Sequence, residues 1–448
     1  MKMIILGAGT RGFQIAKHLI EEKKDVVLIE SDPKKASYAS SRLDCMVING
    51  SGTSIEKLEE AGIRDTDMFI SMTDSDEVNM VACGLVSSEF EVEHKIACIR
   101  NLTYIGSQGL SGKILGIDYI INPEAEAAKA IYEVVDKGVF SDMISFEKTS
   151  LLLNNIHVTP DSAFVDKDIK SIRQAINSDF LIAAIHHRHK MLVPSGDTIV
   201  RNGDTLSVVT EEGSIESVFN AIGKKKKKIK RILIVGGSKT ARFLLKNFSQ
   251  SDRRSFALVD SDSDVCKDFA EEFPELLIIK ADVTDETLYE DEDISNYDLM
   301  ITLTGNDELN ILTAIYAKKI GIDKSMALIK HNNNYLKLAP HLDLDSVIAV
   351  SSSTVNSALR YIRGENFKSV HSLFDGKLEV FEFEINGDTS VVNKKIKEIN
   401  LRGKGLIAGI TREGNNIVPT GENMLKVGDV ILVTVERSHI DYVQKLFL

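Results

Sequence analysis

Cysteine is scarce in this sequence. The four present (Cys45, Cys83, Cys98 and Cys266) lie in apolar or helical contexts without C-x-x-C spacing. That argues against a disulfide frame or a zinc site and predicts reduced core thiols of the kind a cytosolic protein carries. Long apolar runs are missing as well: none approaches the roughly 20 residues that span a bilayer, so any membrane role is expected to fall to a partner. The N-terminus lacks the charged n-region and apolar h-region of a signal peptide and reads as a short strand. Positive charge is in deficit, with a formal net charge of −12. Non-specific nucleic-acid binding needs a basic face, so no nucleic-acid partner is expected.

What is present suits a multidomain globular protein. A chain of 448 residues predicts roughly three domains, and 43% hydrophobic with 27% charged residues is ordinary globular composition. The most informative stretch is the first: an apolar strand, Met3-Ile-Ile-Leu6, runs into Gly7-Ala8-Gly9-Thr10-Arg11-Gly12. Glycines spaced G-x-G-x-x-G let the backbone approach a pyrophosphate at a helix N-terminus. Context strengthens the motif. A helical apolar pattern follows (Phe13, Ile15, Ala16, Leu19, Ile20), then a second strand, Val26-Val-Leu-Ile-Glu30. Glu30 stands at about the ~20-residue spacing of a ribose-hydroxyl acceptor. No Arg follows it directly, so a bare ribose fits better than a 2′-phosphate.

The chain is built twice. Aligning Gly7 with Gly236 gives an offset of 229 and brings Lys230-Arg-Ile-Leu-Ile-Val-Gly236-Gly237-Ser238-Lys-Thr-Ala241 over the first motif. Val27-Leu-Ile-Glu30 then matches Ala257-Leu-Val-Asp260. Met68-Phe-Ile-Ser-Met-Thr73 matches Leu299-Met-Ile-Thr-Leu-Thr304, and Asp76-Glu-Val-Asn79 matches Asp307-Glu-Leu-Asn310. Strands alternating with helical segments call for parallel sheets covered on both faces. After each such half the pattern changes to short alternating strands, where Pro194-Ser-Gly-Asp197 repeats as Pro419-Thr-Gly-Glu422 at an offset of 225. The expected class is therefore α/β, with two tandem Rossmann-like dinucleotide-binding domains, each followed by a small α+β domain. The boundaries read as Rossmann-like folds at 1–123 and 231–350, crossover helix segments at 124–143 and 351–368, small domains at 144–223 and 369–448, and a Lys-rich linker at 224–230.

Several local features have a plain reading beside a sharper one. The run Lys224–Lys228 is a solvated linker, or a contact for anionic lipid or an acidic partner. His186-His-Arg-His189 is a hairpin tip, or a pair of imidazoles for zinc or nickel, although no Cys or carboxylate of suitable spacing is near. Glu290-Asp-Glu-Asp293 is a solvated acidic turn, since it lacks the alternating ligands and glycine of a calcium loop. No metal ligand and no catalytic residue is expected. Pro123-Glu-Ala-Glu-Ala-Ala-Lys-Ala-Ile-Tyr-Glu-Val-Val135 reads as an amphipathic helix whose stripe (Ala127, Ala130, Ile131, Val134, Val135) must bury against something.

The order nucleotide fold, small domain, nucleotide fold, small domain closely resembles the TrkA family. These are cytosolic subunits of bacterial and archaeal Trk potassium uptake systems, built of tandem regulator-of-potassium-conductance (RCK) modules. The resemblance covers essentially the whole chain and rests on a conjunction: Gly7-Ala-Gly9-Thr-Arg-Gly12, Asn49-Gly-Ser-Gly52-Thr53 with Leu58-x-x-Ala61-Gly-Ile63, Thr73-Asp-Ser-Asp-Glu77-Val-Asn79, and both small domains. It implies a homotetrameric ring beneath a membrane-embedded, TrkH-like potassium transporter subunit, cytoplasmic and peripheral on the inner face of the plasma membrane. Nucleotides (ATP or ADP, NAD or NADH) would change the ring's shape. Carried onto this sequence, Gly7, Gly9 and Gly12, with Ala8 and Thr10 between them, would hold phosphate. Arg11 would sit where phosphate charge collects, unless it is only a solvated first-turn residue, and Glu30 would hold the ribose. Gly52 and Thr53 would line the adenosine pocket, Thr73 and Asp74 would lie beside the crevice at a strand end, and Arg100 would reach the phosphates or a neighbouring module. The crossover helix 123–135 would pack between paired modules as a dimer contact, the alternative being packing within its own domain.

Two departures matter. The family usually carries Gly-Asp where this chain has Gly50-Ser51, so one carboxylate is missing from the first site. The second half keeps that carboxylate in Ala281-Asp282-Val283-Thr284 but has Ser238 where a glycine admits the pyrophosphate. Gly236, Gly237, Ser238, Asp260, Asp282 and Val283 therefore form a second, weaker candidate site. A NAD-dependent oxidoreductase is the rival reading. It would need a sizeable catalytic domain with a proton donor at the strand ends, and the segments after each nucleotide fold are only about 80 residues long. A regulatory module of another cation channel or antiporter would share every feature, and only its membrane partner would differ.

Overall fold

The computed structural model describes the chain except residues 105–114, 138–142, 147, 177–178, 188–189, 212–213, 223–228, 339–341, 343, 364–368, 374–377 and 448. The Lys224–Lys228 run and half of the His186–His189 cluster thus lie outside the described residues.

The first apolar runs become a parallel sheet. Its elements are β1 (Lys2–Leu6), α1 (Thr10–Glu21), β2 (Asp25–Glu30), α2 (Pro33–Ser40), β3 (Met46–Asn49), α3 (Ile55–Glu60), β4 (Met68–Ser71), α4 (Asp76–Glu89), β5 (His94–Cys98), β6 (Tyr119–Ile121) and the crossover helix α5 (Pro123–Lys137). The strand order is β3-β2-β1-β4-β5-β6, all parallel. Helices cover both faces, so the central strands are apolar on both sides: Met3, Ile4, Ile5, Phe69 and Ile70 are fully buried, as parallel sheets demand. The order reverses between β1 and β4, and that switch point is where such sheets hold ligands, at the strand carboxyl ends.

A small antiparallel domain follows, with β7 (Met143–Ser145), β8 (Leu151–His157), α6 (Ile169–Ala175), β9 (Phe180–His187), β10 (Lys190–Leu192), β11 (Asp204–Glu211) and α7 (Ile215–Ile222) in sheet order β10-β9-β11-β8-β7. The second half repeats the plan. Its Rossmann-like part contains β12 (Ile232–Val235), α8 (Lys239–Asn247), α9 (Gln250–Arg253), β13 (Phe256–Asp260), α10 (Ser263–Glu272), β14 (Leu277–Lys280), α11 (Glu286–Asp291), β15 (Leu299–Thr302), α12 (Asp307–Lys319), β16 (Lys324–Ile329), α13 (Asn334–Leu338), β17 (Ser346–Ala349) and α14 (Val350–Arg363). The order β14-β13-β12-β15-β16-β17 is the same. Its small domain contains β18 (Ser369–Leu373), β19 (Leu378–Glu384), β20 (Gly405–Arg412), β21 (Asn415–Ile417), β22 (Val430–Glu436) and α15 (Ile440–Phe447), in order β18-β19-β22-β20-β21. The fold is thus two Rossmann-like domains, each followed by a small domain built on an antiparallel sheet.

Like gathers with like. One compact unit contains Met1–Tyr132 and Ile229–Tyr361, the two Rossmann-like folds; the other contains Glu133–Lys228 and Ile362–Leu448, the two small domains. In the first unit, Tyr132 of the crossover helix meets Phe248 of the second fold edge-on at 4.8 Å. Glu126 of that helix pairs with Arg360 at 3.2 Å, and Tyr119 stacks on Tyr361 at 4.5 Å. The crossover helix therefore finds its partner in the other half of its own chain, not in its own domain alone. In the second unit, Leu151, Leu153, Leu181 and Ala183 share a core with Leu378, Val380, Ala408 and Leu432.

Cys83, Cys98 and Cys266 are buried and Cys45 half-buried, all unpaired. Burial pushes the Cys83 thiol up to about 12 and the Cys98 thiol up to about 11, so both are inert core thiols. Among the described residues no helix is long and apolar enough to cross a membrane.

Candidate nucleotide site

The glycine loop between β1 and α1 is shaped by three separate constraints. Gly7 takes φ +99°, a left-handed conformation that L side chains resist. A Cβ on Gly12 would lie 1.9 Å from the Gly7 carbonyl oxygen, so the helix packs directly on its own loop. A Cβ on Gly9 would meet nothing within 4 Å. Gly9 therefore faces open space at the N-terminus of α1.

The capping pattern sets that terminus apart. Asp32, Ser54 and Ser75 each place a side-chain oxygen on a first-turn N–H of α2, α3 and α4. At α1 the capping position is Gly9, and no side chain caps it. A helix start left uncapped, with partial positive charge at its amides, suits an anion. Glu30, buried at the end of β2, accepts from the Ala8 N–H at 2.6 Å and the Asp32 N–H at 2.8 Å, holding the loop to the strand end.

Arg11 is nearly buried, and it reaches across to the ends of β4 and β5. Its guanidinium donates to Asp74 Oδ1 at 2.8 Å and to Cys98 Sγ at 3.4 Å. Arg100 approaches the same Asp74 oxygen at 3.7 Å. Arg11, Asp74 and Arg100 thus form one charged cluster at the switch point, and Arg11 is not a solvated first-turn residue. Thr73 lies beside them, its N–H and hydroxyl both donating to Asn79 Oδ1, at 3.0 and 2.7 Å. Gly52 sits against Leu6, where a Cβ would come within 2.2 Å of the Leu6 side chain. Thr53 is tied to Ser51, hydroxyl to hydroxyl at 2.8 Å. Gly7, Ala8, Gly9, Thr10, Arg11, Gly12, Glu30, Thr73, Asp74 and Arg100 all stand at the carboxyl ends of β1, β2, β4 and β5 or in the loops and first turn that follow, with Gly52 and Thr53 just after β3.

Sequence reasoning passed over two residues that build this end of the sheet. Asn79, fully buried, also donates from Nδ2 to the Cys98 carbonyl at 2.8 Å, locking β4 to β5. Asp76 accepts the Arg100 N–H at 2.9 Å and the Asn101 N–H at 2.7 Å, fixing the turn that presents Arg100. The second half repeats both devices with Asn310 on Thr304 and Leu328, and with Asp307 on Lys330, His331 and Asn332. The signal in the sequence is the matched Asp76…Asn79 and Asp307…Asn310 spacing, which reads as a repeat until the strands are placed side by side.

In the second fold, Gly236, Gly237, Ser238, Asp260, Asp282 and Val283 line one crevice with Thr304 and Gly305, about 360 Å³ in volume. Asp260 copies Glu30, accepting the Gly237 N–H at 2.7 Å. Ser238 differs from Gly9, because its Oγ accepts the Ala241 N–H at 3.4 Å and caps α8 from within. Asp282 accepts from the Thr284 N–H at 2.8 Å, the turn that Ser51 closes with a hydroxyl in the first fold.

The histidine cluster needs a correction. His186 and His187 end β9, and a carboxylate is near after all: buried Asp204 of β11 hydrogen-bonds His187 Nδ1. Strand spacing hid it, because the pairing runs antiparallel from 17 residues downstream. Among the described residues, no three His, Cys, Asp or Glu side chains group as a metal site.

Residues 3–123 and 232–350 match the TrkA-N domain family, and residues 156–223 and 380–448 match the TrkA-C domain family. The chain belongs to the TrkA family. Similar proteins include the Trk system potassium uptake protein TrkA of Halomonas elongata, 28% identical, with all of this chain and 98% of the relative covered. TrkA of Haemophilus influenzae is likewise 28% identical with the same coverage. The TrkA homolog 1 of Methanosarcina mazei is 26% identical, with both chains covered in full. Among solved structures, the GsuK RCK domain superposes with a TM-score of 0.54 at 17% identity, covering 99% of this chain and 94% of that one. The GsuK channel bound to NAD gives 0.56 at 16% identity, covering all of this chain and 78% of that one. The TrkA-family assignment and the RCK fold thus agree with the duplicated architecture.

Proposed function

We propose that this TrkA-family chain is a non-catalytic, nucleotide-sensing regulatory subunit of a membrane potassium transporter. The observation that carries the reading is the uncapped start of α1, where Gly9 faces open space between Glu30 and the Arg11–Asp74–Arg100 cluster. In this reading the α1 amides and Gly9 hold phosphate, Arg11 and Arg100 neutralise it, and Glu30 turns to the ribose hydroxyls. NAD or NADH and ATP or ADP all carry the adenosine and phosphates these groups suit. The relatives are named as parts of potassium uptake systems, which supports a membrane potassium transporter as the partner; the reading takes it to be TrkH-like, with four chains forming a ring on its cytoplasmic face.

Gating requires only that a nucleotide bind two ring shapes with different affinity. A tenfold difference shifts the equilibrium by about 1.4 kcal/mol per site. No proton donor or hydride acceptor is asked of the protein, so no turnover is expected. Calorimetric titration of the purified chain with NADH and with ATP tests the reading: saturable binding with no NADH consumed supports it. Absence of binding by either nucleotide, or stoichiometric NADH oxidation by the chain alone, would sink it.

A further inference from the structure

Arg11 shares the buried face of α1 with Ile15, Ala16 and Leu19, a place where a helix ordinarily carries an apolar side chain. A guanidinium keeps its charge in any surroundings, and a buried charge left without a partner is costly. Two groups meet this one, Asp74 Oδ1 at 2.8 Å and Cys98 Sγ at 3.4 Å. Burial pushes the Cys98 thiol up to about 11, so Cys98 is neutral and the counter-charge comes from Asp74. The neighbouring carboxylate, Asp76, is already committed to the Arg100 and Asn101 amides. The partners of the Arg11–Asp74 pair are unequal: the arginine side chain is 9% exposed and the aspartate 73%. Water can solvate the carboxylate if it turns away, but it cannot do the same for the guanidinium. The second fold has neither member, since Thr240 and Gly305 stand at the corresponding positions.

We infer that Asp74 is a resident counter-anion for Arg11, displaced by the phosphate of an arriving nucleotide, and that it thereby sets the affinity threshold of the first crevice. The inference rests on the nucleotide-sensing reading and adds to it the residue that opposes binding. A phosphate seated at the uncapped start of α1 brings its charge to the helical turn that carries Arg11. It offers the planar guanidinium fork more charge and more acceptor oxygens than one carboxylate does. Arg11 exchanges one anion for another and is never left bare, while Asp74 passes into water at little cost, as exposed ion pairs do. The exchange also changes the fold locally. The Arg11–Asp74 bond ties α1 to the loop between β4 and α4, across the point where the strand order reverses. An empty crevice keeps that tie and a filled one gives it up, so the ligand distinguishes two states of the same loop.

The test is calorimetric titration of the full chain with ATP and with NADH, comparing wild type with Asp74→Asn and with Asp74→Gly, the residue the second fold carries there. At low salt both variants are expected to tighten whichever nucleotide occupies the first crevice by about fivefold, the upper range for an ion pair with one exposed member. The gain is expected to shrink in about 1 M salt, where the Debye length falls to about 3 Å. It is also expected to vanish when the same substitutions are made in Arg11→Gln, each pair being compared within that background. Weaker or unchanged binding of both nucleotides in both variants overturns the displacement, and so does a gain that persists without Arg11; either result leaves nucleotide sensing standing. If the wild-type chain and its variants bind neither nucleotide, both readings fall.

Discussion

At the scale of single residues, Gly9 and Gly12 do different work, and substitution separates them. Gly12 is a packing glycine: its hydrogen faces the Gly7 carbonyl, and a methyl there would need backbone to move. Gly12→Ala is expected to lower stability by about 1–3 kcal/mol, the usual cost of overpacking, seen as a lower midpoint in thermal or urea unfolding. The second fold accommodates a methyl at the same place, in buried Ala241. Gly9 is a binding glycine. Its backbone is at φ −65° and its surroundings are open, so Gly9→Asp has no clash and gains a favoured cap. The expected outcome is unchanged or slightly higher stability together with loss of high-affinity ATP binding, because the new carboxylate occupies the phosphate position. Retained ATP binding in that variant would mean the first fold is not the site.

Single elements are held by carboxylates at the strand ends opposite the ligand. Asp345, just before β17, accepts from Lys318, Lys324 and the Ser325 N–H at 3.0, 2.7 and 2.9 Å, tying α12 and β16 to the edge strand. Burial works against ionisation of Asp345, but the lysine and backbone hydrogen bonds outweigh it and hold its carboxyl below the usual value. A carboxylate depressed on folding contributes stability above its unfolded pKa, about 3.9, and loses that contribution as pH falls through the folded value. Asp345→Asn is therefore expected to cost about 1–3 kcal/mol at neutral pH, with the gap to wild type closing below about pH 4; a gap independent of pH would refute the ionic account. Much at this scale was legible in the sequence. The strand–glycine loop–helix unit, the acid at Glu30 and the duplication follow from local pattern and spacing. The Asn79 and Asp76 latches were visible only as repeated letters, because their meaning depends on β5 lying beside β4. His187 and Asp204 met only through strand pairing, which no local period encodes.

For the molecule as a whole, the pairing of like with like was the least legible feature, since it rests on contacts between residues more than a hundred positions apart. Glu126 to Arg360 and Tyr119 to Tyr361 join the Rossmann-like folds, and one apolar core joins the small domains. Neither half has a finished surface without the other. Residues 1–228 expressed alone would expose Leu151, Leu153 and Leu181, and are expected to form a dimer or aggregate, not a well-folded monomer. Light scattering after size-exclusion chromatography, with a hydrophobic dye, checks this; a monomer that melts cooperatively and binds no dye would contradict it. The same joining has a consequence for heredity. Where a pair is assembled from two identical polypeptides, any change in the gene strikes both members at once. Here the partners are encoded separately yet tethered, so each meets the other at a local concentration that dilution does not reduce. A codon such as that of Ser238 could drift while Gly9 stayed fixed, and the altered copy would still find its companion. Fusion thus lets one gene carry two dissimilar receptors and inherit them as a set.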